Sequence, residues 1–98
     1  MKITNNKDGN TLTVFIEGRL DTSTAPELES NLRDSLDGVA ALNLDLEKLE
    51  YISSAGLRVL LAAQKIMNKQ GEMKILHVSE AVREIFEITG FDAILTIE

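Results

Sequence analysis

The residues best equipped for chemistry lie in "YISSAGLR", residues 51–58. Two adjacent hydroxyls, Ser53 and Ser54, stand where an apolar strand hands over to an apolar helix. Ser54 reads as the N-cap of that helix, its oxygen accepting from an amide one turn ahead. Gly56 follows two residues later, where a helix interior would favour a side chain by roughly 1 kcal/mol. Its bare backbone lets something approach the amides closely. Helix N-termini attract anions through unpaired N–H groups and the macrodipole, so a phosphate on Ser54 would meet partly matched surroundings. Arg58 lies four residues on, within helical reach, either to neutralise that phosphate or to grip an acidic group on a partner. A second polar cluster, Asp21, Thr22, Ser23 and Thr24, leaves the second strand towards the same carboxyl-end rim, where open α/β sheets bind ligands.

Other chemistries fit less well. A serine nucleophile needs a base within hydrogen-bond reach. The single histidine, His77, falls one strand over with no orienting group in view, and "SSAGLR" lacks the flanking glycines of a G-x-S-x-G elbow. No enzyme activity is expected. The acidic residues do not follow the calcium-loop spacing, and no histidine besides His77 is present to ligate metal. One glycine without a following P-loop lysine makes no nucleotide cradle. Neither metal nor cofactor is expected.

Composition sets the frame. Ninety-eight residues make one domain, residues 1–98. The absence of cysteine excludes disulfides and thiolate sites and fits a cytoplasmic location. A net charge of −6 argues against nucleic acid or anionic lipid as partners. No apolar run reaches the roughly 20 residues that span a bilayer.

The elements that must hold the serines follow from periodicity. Residues 3–6 form a short strand, "KDGN" a hairpin turn, and "TLTVFIEG" an antiparallel partner with Leu12, Val14 and Ile16 on one face. Thr24 and Glu27 have capping-box spacing around Pro26, Leu28, Leu32 and Leu36 form one stripe, and Gly38 ends the first helix. "AALNLDLEKL" alternates, Leu42, Leu44 and Leu46 against Asn43, Asp45 and Glu47, so helices cover mainly one face of the sheet. A helix runs from about Ala55 to Gln70, with Leu57, Leu60, Leu61, Gln64 and Met67 on one face and Val59, Ala63 and Ile66 widening it. "EMKILHV" is a strand, Ser79 caps a helix through Ile88, Gly90 ends it, and "AILTI" is a last strand. With right-handed crossovers, this predicts a five-stranded mixed sheet of order 1-2-3-4-5, strand 1 antiparallel to the rest.

"GRLDTSTAPEL", "LDLEKLEYISSAGLRVLLAAQK" and "ILHVSEAVREIFEITGFDAIL" together resemble the STAS domain, in particular the bacterial anti-sigma factor antagonists, over essentially the whole chain. The resemblance implies a single-domain α/β STAS fold. It also implies a monomer whose unphosphorylated form binds an anti-sigma factor serine kinase and frees the sigma factor. Phosphorylation would switch it off, and a metal-dependent serine phosphatase would reset it. By position the phosphoacceptor is Ser54, with Ser53, which stands where the family usually has aspartate, as a minor alternative. Ala55 replaces a common hydroxyl residue and Arg58 a common glycine. Asp21 matches the family's aspartate before the first helix. The partner-binding set is therefore Asp21, Thr22, Ser53, Ser54, Ala55, Gly56 and Arg58. The other reading of the same fold is a subunit of a lipid-transport ABC system, or a regulator whose partner is not a sigma-factor system.

Overall fold

The structure is a computed structural model describing residues 1–98. Strands β1 (Lys2–Asp8) and β2 (Thr11–Leu20) form the expected antiparallel hairpin, and helix α1 (Ala25–Ser35) follows. Strand β3 (Ala41–Asp45) pairs parallel with the first half of β2, from Thr11↔Ala41 to Phe15↔Asp45. Strand β5 (Glu72–Leu76) pairs parallel with β3. Between them lie β4 (Leu49–Ile52) and the long helix α2 (Ser54–Gln70), and α3 (Glu80–Thr89) closes the regular structure.

The alternation along β2 and β3 buries Leu12, Val14, Ile16, Leu42 and Leu44, which join one apolar core of 24 residues with Leu28 and Leu32 of α1, Leu57, Leu60 and Met67 of α2, and Phe86 of α3. Thr13, Phe15 and Asn43, on the opposite face, are half-buried. Helices therefore cover chiefly one face, as the alternation requires.

The order β1-β2-β3-β5 follows the chain, but the fifth strand is not where periodicity puts it. "AILTI" contributes a single parallel bridge, Ile75↔Ile97. A 3-10 turn at Phe91–Ala93 consumes its start and Leu95 turns into the core, leaving only the backbone around Thr96–Glu98 to bond Ile75. The fifth strand is instead β4, of which only Leu49 falls within the "AALNLDLEKL" expected as the third. The Asp45 carboxylate accepts from the Glu47 amide at 3.0 Å and the Leu49 amide donates to the Leu46 carbonyl at 3.1 Å. These bonds turn the chain off β3 and back onto the second half of β2, where Gly18↔Leu49 and Leu20↔Ile52 pair.

Smaller boundaries also move. Helix α1 ends at Ser35, with Leu36 as its C-cap, rather than running to Gly38. Ile66 does not widen the buried face of α2 but lies 42% exposed. Gly90 does terminate α3, in the left-handed conformation at φ 80°, which costs glycine nothing.

Candidate functional site

The detour through β4 builds the site. Because β4 pairs with the end of β2, the Ser53 amide donates to the Leu20 carbonyl at 2.9 Å, as the last rung between the two strands. That rung keeps Ser53 extended, at φ −95° and ψ 175°, and helical geometry begins at the next residue. Ser53, not Ser54, is therefore the N-cap: its hydroxyl accepts from the Gly56 amide at 3.4 Å. Ser54 is the first helical residue, exposed, and its hydroxyl makes no hydrogen bond within the chain. The amides of Ser54 and Ala55, which precede the first intrahelical rung from Leu57 to Ser53, have no acceptor either.

Gly56 is buried and faces inward, which corrects the expectation that it opens the amides to a visitor. A Cβ on Gly56 would lie 2.7 Å from Cγ of Leu20 and 2.8 Å from Cγ1 of Ile52. The missing side chain lets α2 sit down on the ends of β2 and β4. Gly56 thus positions Ser54 rather than presenting a contact of its own.

Across from the serines, the β2 exit is locked by Asp21. Its Oδ1 accepts from the Ser23 amide at 3.0 Å, the Ser23 hydroxyl at 2.7 Å and the Thr24 amide at 3.2 Å. These bonds, the Ser23 hydroxyl first, hold the Asp21 carboxyl below its ordinary range. Thr24 occupies the N-cap of α1, but its side chain makes no capping bond there. Its hydroxyl is taken up by the Asp21 amide and the Arg19 carbonyl, each at 2.9 Å. The capping box read from Thr24 and Glu27 does not form, and Asp21 satisfies the leading amides instead.

Three of the seven residues expected to bind a partner meet at one cleft. Thr22, Ala55 and Arg58 line one cleft of about 220 Å³ between α1 and α2, with Ala25, Pro26 and Glu29. Thr22, Ser54 and Arg58 are exposed, and Asp21, Ser53 and Ala55 are half-buried. Only Gly56 of the set is withdrawn from the surface. Two residues join the rim unannounced: the Arg19 guanidinium lies 4.4 Å over the ring of Tyr51 and 3.9 Å from the Asp21 carboxylate. Nothing in the local sequence links residues 19 and 51, because the β2–β4 pairing that makes them neighbours is itself not periodic.

His77 does not serve Ser54. Its Nδ1 lies 2.8 Å from Oδ2 of Asp45, and no hydrogen bond joins it to Ser54. That bond and the charge of Asp45, with a smaller contribution from Glu47, push the His77 pKa up.

Comparison with known proteins bears on the family and the fold. The family profile of the STAS domain matches residues 2–98. The chain is 40% identical over 99 residues to BtrV of Bordetella bronchiseptica, proposed to be an anti-sigma factor antagonist, covering 99% of this chain and 85% of BtrV. It is 35% identical over 86 residues to the anti-sigma-B factor antagonist of Staphylococcus aureus, covering 86% of this chain and 80% of that protein. The crystal structure of an anti-sigma factor antagonist from Mycobacterium paratuberculosis superposes with a TM-score of 0.87 at 26% identity, covering 98% of this chain and 83% of that one.

Proposed function

The chain belongs to the STAS domain family, and from that premise we propose that it is an anti-sigma factor antagonist switched by phosphorylation of Ser54. The unmodified protein, a cytoplasmic monomer, docks its rim of Asp21, Thr22, Ala55 and Arg58 on an anti-sigma factor serine kinase. Docking frees the sigma factor. The kinase phosphorylates Ser54 and lets go, and a metal-dependent serine phosphatase restores the binding form. No helix is long and apolar enough to cross a membrane.

The observation that carries this reading is the division of labour between the two serines. Ser53 spends its hydroxyl on the cap and is half-buried, whereas Ser54 offers an exposed, unbonded hydroxyl at the first turn of α2. A phosphate there carries about −1.5 to −2 charges. In free protein it is tolerable: it meets the helix N-terminus, the unpaired amides of Ser54 and Ala55, and Arg58, which makes no ion pair of its own. In a closed interface the same dianion loses its water. Without cationic partners it costs several kcal/mol, and each 1.4 kcal/mol is tenfold in affinity.

Co-purification from the native organism identifies the kinase, and mass spectrometry locates the phosphate. Calorimetry on that pair is the test. Ser54→Ala binds like the parent, while Ser54→Asp and the phosphorylated protein bind about 100-fold more weakly or worse. Equal affinity of the phosphorylated and unmodified forms refutes the switch.

A further inference from the structure

Away from the serine rim, three potential ligand groups converge where β3 and β5 end. Asp45, Glu47 and His77 each offer one ligand atom, and these atoms lie within 4.8 Å of one another. The first two come from the turn that diverts the chain to β4, and the third lies 32 residues from Asp45 in sequence. Beside them a cavity of about 210 Å³ opens, lined by Asp45, Glu47, Glu17, Thr4, Phe15 and Lys48. Three of its lining side chains are carboxylates and one is a cation.

We propose that Asp45, Glu47 and His77 form a binding site for a divalent transition-metal ion of the zinc type. The donor set decides the class. Magnesium and calcium prefer oxygen ligands alone, whereas an imidazole nitrogen joined to carboxylates suits zinc and its neighbours. Zinc bonds nitrogen and oxygen at about 2.0–2.2 Å, so tetrahedral ligand atoms stand roughly 3.3–3.6 Å apart at those bond lengths. Nδ1 and Oδ2, now 2.8 Å apart across their hydrogen bond, must open by a little over half an ångström, roughly, to admit the ion.

The neighbourhood permits that movement. Asp45 is the fixed ligand: it is only 7% exposed, and its Oδ1 is anchored on the Glu47 amide. The other two are mobile, since the His77 side chain is 62% exposed at the end of its strand and Glu47 is exposed on its turn. With three protein ligands, the fourth position is left to water from the adjoining cavity. The bound ion would tie the end of β3, the end of β5 and the turn into β4 to one centre. This site is independent of the proposed switch, and its failure would leave that reading untouched.

The test is calorimetric titration of the full chain with zinc chloride at neutral pH, with magnesium chloride as the control and backbone amide NMR to locate the response. One equivalent of zinc binds, and the shifts centre on Asp45–Lys48 and Leu76–Val78; magnesium produces neither. Glu47→Gln and His77→Asn each weaken zinc binding at least about tenfold, in keeping with the cost of disturbing a ligand set. Asparagine is chosen at position 77 because His77 sits at φ 55°, a left-handed conformation that asparagine tolerates. Glu47 is exposed, so its substitution spares the fold. No saturable zinc binding, binding that magnesium matches, or either variant binding zinc as tightly as the parent overturns the site.

Discussion

Gly56→Ala separates two meanings of the glycine beside the switch. If Gly56 merely keeps amides accessible, alanine there should stabilise the protein, since alanine is favoured over glycine within a helix by up to about 1 kcal/mol. The geometry predicts the opposite sign. The new methyl would lie 2.7 Å from Cγ of Leu20 and 2.8 Å from Cγ1 of Ile52. Ordinary carbon–carbon contact is about 3.5–4.0 Å, so either those side chains or the helix must yield by close to an ångström. Leu20 is 0% and Ile52 1% exposed, so neither has free space to move into. Overpacking a well-filled core costs typically 1–3 kcal/mol. Set against the helix gain, a net loss of up to about 2 kcal/mol follows. In a chain of this size that lowers the melting temperature by roughly 4–8 °C per kcal/mol, and urea denaturation reads it directly as a fall in midpoint. Because the strain falls on the first turn of α2, Gly56→Ala also slows phosphorylation of Ser54. An alanine variant more stable than the parent would refute the packing account of Gly56, and with it the idea that close seating of α2 sets the serine's position.

Other outcomes follow from the same contacts. Ser53→Ala removes the α2 cap and costs about 0.5–1 kcal/mol in urea denaturation. Phosphate still appears on Ser54 in that variant by mass spectrometry; loss of phosphorylation with the fold intact would make Ser53 the acceptor. Asp21→Ala destabilises the β2 exit at neutral pH. Since the Asp21 carboxyl is held below its ordinary value, its contribution is fully present above the unfolded pKa and is lost as pH falls through the lowered folded value. The gap between parent and Asp21→Ala midpoints therefore narrows below about pH 4, and a gap unchanged into strong acid would contradict the assignment. Ser54→Asp leaves the urea midpoint close to the parent's while abolishing tight kinase binding, because the hydroxyl it replaces bonds nothing.

Much of the framework was legible because it depends on local periodicity. Leu12, Val14 and Ile16 alternate on β2, Leu28 and Leu32 repeat on α1, and Ser79 and Gly90 bracket α3; each of these is written within a few residues. Two of the departures come from long-range pairing, and the one at Thr24 from local side-chain bonds. The 3.4 Å cap fell to Ser53 because a long-range rung from Ser53 to Leu20 held it extended. Asp21 displaced Thr24 as the source of leading-amide bonds because the Thr24 hydroxyl was drawn to Arg19 and the Asp21 amide. The strand expected through Leu49 stops at Asp45, and a separate β4 forms because β2 is long enough to pair twice, first with β3 and then with β4.

Taken alone, the order of residues determined the strands and helices that periodicity makes, the apolar face each would bury, and the pair of serines at one junction. Tertiary structure decided which serine caps and which stays free, why Gly56 must lack a side chain, and that Asp45, Glu47 and His77 meet at all. The physical reason is that periodicity records burial along one element, whereas these roles depend on hydrogen bonds and contacts between residues about 30 apart, which exist only after the sheet has assembled.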